Sequence, residues 1–133
     1  MQDNDVKLPP QLKKAMEENE RRMLEQEARQ AHFSRVSLWM YWLPISRRQR
    51  EVLGRIYSFQ CTTNKDGSQG EFRMSLASGA KELRMYDRTE FKEDVSKLVQ
   101  LGFVVKRSNG PRTPSTYLVD EVACMKAAKE AGY

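Results

Sequence analysis

The stretch "LVQLGFVVKRSNGPRTPSTYLV", residues 98–119, decides the fold of this 133-residue chain. A helical apolar pattern ends at Gly102, and glycine is the residue type that most often follows the last turn of a helix. Two short runs rich in β-branched and aromatic residues follow, one on each side of "SNGPRTP". Gly and Pro between two such runs are typical of a β-hairpin. The stretch therefore predicts a helix that leads directly into a hairpin with a positively charged tip.

A helix precedes this hairpin, in "DRTEFKEDVSKLVQL". Asp87 is a good N-cap residue, and Glu90 stands three positions later, as in a capping box. Phe91, Val95 and Leu98 recur at helical spacing and predict the buried face of the helix.

Two further helices are predicted upstream. In "SRRQREVLGRIYSFQ", Ser46 is an N-cap, the apolar residues recur at helical spacing, and the other positions predict a basic outer surface formed by Arg47, Arg48, Arg50 and Arg55. After a turn-rich loop, "EFRM" predicts a short strand, and Ser75 or Ser78 caps a helix at about 76–84. The order helix, strand, helix, turn, helix, hairpin is that of a winged helix-turn-helix domain, in which the hairpin is the wing.

The predicted fold class is mainly α with a small β-hairpin, a winged helix-turn-helix with extra N-terminal and C-terminal helices. We divide the chain into a disordered lead-in (1–9), an N-terminal helical arm (10–32), the winged helix-turn-helix domain (33–119) and a C-terminal helix (120–133). In the C-terminal helix, Val122, Met125 and Ala128 share one face and predict its buried side.

The arm has two interpretations. Good helix formers fill it, and its apolar residues form only a thin stripe. Asn19 and two glutamines, Gln26 and Gln30, interrupt the heptad that this stripe implies. The arm is either a solvated, partly frayed helix or a dimerisation helix.

Charge is concentrated in two parts of the chain. The net charge is +5; residues 34–60 hold five basic side chains and one acid, and residues 103–119 hold three basic side chains and no acid. A basic excess of this kind indicates polyanionic partners. We expect the surface that faces them to lie in the middle of the chain.

The sequence argues against membrane insertion, secretion and catalysis. No apolar run reaches the roughly 18 to 20 residues of a bilayer-spanning helix, and the N-terminal residues lack the features of a signal peptide. We therefore expect a cytoplasmic protein without a membrane partner. Cys61, Cys124 and the single histidine, His32, form no metal-ligand motif, and no phosphate-binding loop is present. We expect no metal, no cofactor and no enzyme activity.

Ten residues are predicted to contact DNA. On the outward face of the helix at 87–101, cations and hydroxyls can reach bases or phosphates, although this charge-mixed face is also typical of plain solvated surface. The acids of that helix repel phosphate unless Lys97 or Arg88 pairs with them. Cations at the start of the helix after Ser46 combine their charge with free backbone donors, and cations of the wing lie where phosphates run. The set is Arg47, Arg48, Arg50, Arg88, Thr89, Lys92, Ser96, Lys106, Arg107 and Arg112.

Five segments carry a family resemblance: "HFSRVSLW", "SRRQREVLGRIYSF", a Gly-containing loop, "GEFRMSLASGAKEL" and "DRTEFKEDVSKLVQLGFVVKR". Together they resemble the winged-helix domains of phage and plasmid replication initiators and replisome organisers, over residues 33–119. Two positions depart from the family pattern, since Glu90 replaces a common Thr and Arg84 stands where the turn usually has Gly.

Two function classes follow. In the first, the chain binds double-stranded DNA through the helix at 87–101 and the wing, as a homodimer held by its terminal helices. The resemblance implies a plasmid, phage or other mobile element, where the protein acts as a transcriptional regulator or a replication-initiation or accessory factor, with a possible replication or regulatory protein partner. In the second, the winged helix is a protein-interaction adaptor that does not bind DNA specifically.

Overall fold

The computed structural model describes residues 8–31, 34–84 and 88–133. The chain divides into two compact units, Met1–His32 and Phe33–Tyr133. The first unit contains one helix, α1 (Pro10–Gln30), which begins at a proline and has no buried residue. Proline is suited to the first turn of a helix because the backbone donor that it lacks would have no partner there. Residues 1–7 of the predicted lead-in lie outside the described residues.

The second unit confirms the predicted fold class, a winged-helix arrangement that is mainly α with a small hairpin. A short 3-10 helix comes first, and the α-helices and strands follow in chain order: 3-10 helix (Leu38–Trp42), α2 (Arg47–Gln60), α3 (Leu76–Glu82), α4 (Arg88–Gln100), β1 (Val104–Arg107), β2 (Thr116–Val119) and α5 (Glu121–Glu130). Within the described ranges, no helix combines the length and apolarity needed to cross a membrane.

Local chemistry sets the helix ends. Ser46 and Gln49 form a full capping box at the start of α2, and the Ser75 side chain caps α3 by accepting from the Ser78 backbone N–H. Gly102, directly after α4, has φ 84°, which is the left-handed conformation that glycine adopts without strain. The predicted cap of α4, Asp87, lies outside the described residues.

The core forms where α2, α3, α4 and the hairpin meet. Its largest fully buried side chains include Phe72 and Phe91, whose rings stack with centroids 6.1 Å apart, together with Leu53, Ile56 and Leu98. Full burial of side chains of this size stabilises the fold by about 1.5–3 kcal/mol each. The predicted apolar face of α4 is confirmed, because Phe91, Val95 and Leu98 are all buried.

The sheet has two antiparallel strands, with Val104 opposite Val119 and Arg107 opposite Thr116. The predicted strand "EFRM" is wrong in extent: Phe72 forms only an isolated bridge, through its carbonyl oxygen and the Tyr117 N–H at 2.9 Å. The segment leaves the sheet because Ser75 already caps α3. The side chain of Gln60 occupies the next position along β2, where it donates to the Val119 carbonyl oxygen at 2.9 Å and accepts from the Val119 N–H at 2.5 Å.

Two predictions about helix faces are wrong in part. Helix α5 buries Ala128, as predicted, but Cys124 is buried with it and Val122 is 64% exposed. The small side chains of Cys124 and Ala128 allow close approach to the 3-10 helix. In α2, Arg55 is not on the outer surface but buried, with its guanidinium 4.5 Å from the Phe59 ring centroid and in an ion pair with Glu82 of α3.

Candidate nucleic-acid interface

Helix α4 is the second helix of the helix-turn-helix, and its neighbours hold it at close range. Gly79 of α3 lies so near the Phe91 ring that an added Cβ would stand 2.6 Å from it. The absence of a side chain at position 79 therefore lets α3 and α4 pack closely. Before α4, Arg84 has φ 56°, the left-handed conformation that glycine would adopt with less strain at this turn.

The two flanks of α4 differ in charge. At about 100° per residue, Arg88 and Lys92 fall on one side of the buried stripe, and Glu90 and Asp94 fall on the other. Thr89, Glu93 and Ser96 lie between these flanks and are exposed. The surface that α4 offers to a ligand is therefore cationic along one flank.

The acidic flank of α4 is bound to Arg48, at the start of α2. Its Nε donates to Asp94 Oδ2 at 2.6 Å, and its Nη1 donates to Glu90 Oε1 at 2.8 Å. Asp94 is buried, and the hydrogen bond to Asp94 is the main cause that raises the pKa of Arg48. The partner of Asp94 therefore comes from a different helix and is neither Lys97 nor Arg88, the two cations that the sequence analysis considered.

The three arginines at the start of α2 point in different directions. Arg47 is exposed, Arg48 is directed to α4, and Arg50 lies 4.5 Å from the Tyr41 ring centroid, with its Nε donating to the Met40 carbonyl oxygen at 3.4 Å. Because these directions differ, the structure does not gather the three cations into one cluster. The capping box of Ser46 also uses two backbone donors at the start of the helix, which are then not free to bind phosphate.

Two neighbouring grooves gather the cationic flank of α4 and the base of the wing. One lies between the starts of α3 and α4 and is lined by Ser75, Leu76, Ala77, Arg88, Thr89 and Lys92. The other runs from α4 to the hairpin and is lined by Leu76, Lys92, Val95, Ser96, Val99, Lys106 and Tyr117. Leu76 and Lys92 belong to both grooves. The structure thus places five of the ten predicted residues, Arg88, Thr89, Lys92, Ser96 and Lys106, side by side.

Arg107, in the wing, is paired at the base of the hairpin. Its Nη2 donates to Glu71 at 2.8 Å from Oε2 and 3.0 Å from Oε1. Arg73 also donates to Glu71, at 3.2 Å, and its Nε donates to Thr116 Oγ1 at 3.2 Å. The sequence prediction considered only acids within the hairpin and so missed Glu71. The sequence did contain a signal for the position of this acid. In an extended segment alternate residues share a face, so Glu71 and Arg73 lie on the same face, opposite to Phe72.

The tip of the wing is closed by Asn109. Its Nδ2 donates to the Pro114 carbonyl oxygen at 2.9 Å and to Thr116 Oγ1 at 2.8 Å. Arg112, beyond this contact, is exposed and has φ 60°. Within the described part of the chain, Arg112, Lys106, Lys92 and Arg88 form no ion pair with an acid. These four cations are therefore available to an external anion.

Comparisons with known proteins give one match. It is a solved structure described as "N-Terminal domain of DNA binding protein", with 14% sequence identity and a TM-score of 0.48, covering 80% of this chain and 92% of that one. No family model and no curated protein matches the sequence. A similarity at this level transfers no function to this chain.

Proposed function

We propose that this chain binds double-stranded DNA, with the cationic flank of α4 in the major groove and the wing on the adjacent backbone. The observation that carries the proposal is the pair of neighbouring grooves in which Arg88, Lys92 and Lys106 converge without a paired acid among the described residues. In a winged helix-turn-helix, the second helix of the motif and the hairpin are the parts that approach DNA.

The five gathered residues divide by role. Arg88, Thr89 and Ser96 are of the types that reach base edges, since Arg forms bidentate bonds to guanine and hydroxyls can donate or accept. Lys92 and Lys106 carry mobile point charges suited to phosphate oxygens. Arg112 extends the phosphate surface to the wing tip, and Arg47 adds an exposed cation at α2.

Arg48 and Arg107 have another role in this proposal. The ion pair of Arg48 with the buried Asp94 positions α4 relative to α2. Arg107 is neutralised by Glu71, and the direct phosphate contacts come from the unpaired cations.

The activity we propose is binding without catalysis. The side chains that line the two grooves are cations, hydroxyls, a phenol and apolar groups, without a carboxylate or imidazole to transfer protons. Following the sequence resemblance, we propose a role in a plasmid, phage or other mobile element, as a transcriptional regulator or a replication-initiation or accessory factor.

The test is fluorescence anisotropy with a labelled mixed-sequence duplex across a salt series. The variant Lys92→Ala/Lys106→Ala should bind more weakly, and its slope of log affinity against log salt should be shallower by about two. The matched control is Lys126→Ala/Lys129→Ala on α5, which removes the same charge and should leave the slope unchanged. Absence of binding at low salt, or equal losses in both variants, would contradict the proposal and favour the protein-interaction adaptor.

A further inference from the structure

Helix α1 has no buried residue over its 21 residues. An isolated helix of about this length is marginal in water, and most helices in proteins gain their stability by packing an apolar face. A helix of this kind therefore gains stability when another surface covers its apolar side.

Three of the four large apolar residues of α1 form a narrow stripe, and the fourth, Leu24, lies outside it. Leu12, Met16 and Met23 lie within an arc of about 40° on an ideal helix, and they are 48%, 54% and 62% exposed. Their spacing of four and seven fits positions d, a and a of a heptad. The remaining seam positions hold Asn19, Gln26 and Gln30.

The two edges of this stripe carry opposite charge. Beside the seam, the e positions are Lys13, Glu20 and Glu27, and the g positions are Ala15, Arg22 and Arg29. In a parallel, in-register pair, a g residue meets the e residue five positions later in the other helix. Arg22 then meets Glu27 of the second copy, and the two-fold axis repeats the contact.

The opposite orientation is disfavoured by the same charges. An antiparallel pair that overlaps the whole helix places g beside g and e beside e, so Arg22 meets Arg22 and Glu20 meets Glu20, and these like-charge contacts offset the attraction between Lys13 and Glu27. We propose that α1 pairs with α1 of a second copy of this chain as a short, parallel, two-stranded coiled coil, held in register by reciprocal Arg22–Glu27 ion pairs.

The composition of the seam indicates a reversible dimer. Three apolar and three polar side chains per helix bury little apolar surface, so the association depends on protein concentration. The proposal does not rest on DNA binding, since all the residues that carry it belong to α1. If the chain also binds DNA, a two-fold dimer recognises two half-sites related by the same symmetry.

The experiment is sedimentation velocity of the full-length chain over a concentration series. We expect a monomer–dimer equilibrium, which Arg22→Glu and Glu27→Arg each weaken by about tenfold because both reciprocal contacts become repulsive. The double variant Arg22→Glu/Glu27→Arg should restore the parent dissociation constant to within about twofold. Lys14→Glu is the matched control: it makes the same charge reversal opposite the seam and should leave the equilibrium unchanged.

A separate experiment tests whether the two α1 helices are parallel. With Gln26→Cys in a Cys61→Ser background, a parallel pair brings position 26 against itself, and mild oxidation should give a disulfide-linked dimer. A monomer at every concentration would overturn the proposal, as would equal weakening by Lys14→Glu. A dimer that the double variant does not restore, or that forms no disulfide at position 26, would overturn the parallel pairing.

Discussion

Arg48 and Asp94, 46 residues apart in the sequence, are joined by two hydrogen bonds: Nε to Oδ2 at 2.6 Å and Nη2 to Oδ1 at 3.2 Å. The guanidinium is partly exposed and the carboxylate is buried. A bidentate arginine–carboxylate pair fixes both distance and angle between the groups that it joins. The start of α2 therefore sets the orientation of α4 at the level of its first two turns.

Asp94→Asn should lower the melting temperature. The amide keeps the size of the carboxylate but loses its charge, so the buried group no longer matches the guanidinium. We expect a decrease of about 5 °C, measured by circular dichroism. Glu93→Gln, which removes the same charge from the exposed neighbouring position, should change the melting temperature little; an equal effect of both variants would show that the ion pair does not hold α4.

Gly79→Ala should destabilise the fold, although alanine is the better helix former. At an open helical site this change stabilises by about 0.5–1 kcal/mol. At position 79 the new Cβ would stand 2.6 Å from the Phe91 ring, which is fully buried, so one of the two groups must shift. We expect a net loss of about 1–3 kcal/mol in urea unfolding. Ser78→Ala, exposed in the same helix, is the control, and a stabilised Gly79→Ala would mean that α3 is not packed this closely on α4.

Glu71→Gln should strengthen DNA binding under the proposed function. The change removes the acid that pairs with Arg107 and Arg73 and leaves both cations at the base of the wing. We expect affinity to rise several-fold and the salt dependence to become steeper. Glu130→Gln on α5 makes the same charge change and serves as the comparison in the anisotropy titration. If the two variants bind DNA equally, Arg107 does not gain access to phosphate when its acid is removed.

The two cysteines should differ in reactivity. Cys61 is exposed and Cys124 is buried, and burial raises the pKa of Cys124 to about 12. Only the thiolate reacts, so native protein at mildly alkaline pH should take up one alkyl group per chain and unfolded protein two, as counted by mass spectrometry. Two groups on the native chain would contradict the packing of α5.

The raised pKa of Cys124 also makes the free energy of unfolding depend on pH. The ordinary thiol pKa is 9.0, so the thiol of Cys124 ionises in the unfolded chain at a lower pH than in the folded one. Its contribution to stability is therefore complete below about pH 9 and declines as the pH rises towards 12. Cys124→Ala should flatten this part of a plot of unfolding free energy against pH, and an unchanged slope would contradict the burial of this thiol.

Features set by neighbouring residues were predictable from the sequence. Ser46 caps α2 and Gly102 ends α4 because each acts on backbone groups within a few positions of itself. The hairpin followed from its turn residues and flanking strands for the same reason. The order of these elements was enough to predict the winged-helix fold.

The partners of individual charges were not predicted, because they depend on contacts between distant segments. Nothing local separates Arg48 from Arg47, yet one binds α4 and the other is exposed. One signal was available: Asp94 borders the apolar stripe of α4 next to Leu98, and a carboxylate there needs a partner. The face of α5 was mispredicted at Val122 and Cys124 because the smaller Cys124 side chain, and not the larger Val122, is the one that is buried beside Ala128.

The amide of Gln60 and the bridge at Phe72 together cover the outer edge of β2. Among the described residues, no strand lies on the other side of β1, so β1 is the side on which another strand can be added. Lys106 lies in that strand, and a charged lysine there is a common means of discouraging edge-to-edge aggregation. Strand addition would also cover a lysine that the proposed complex uses for phosphate. Self-association through the sheet and occupancy by DNA would thus compete at Lys106.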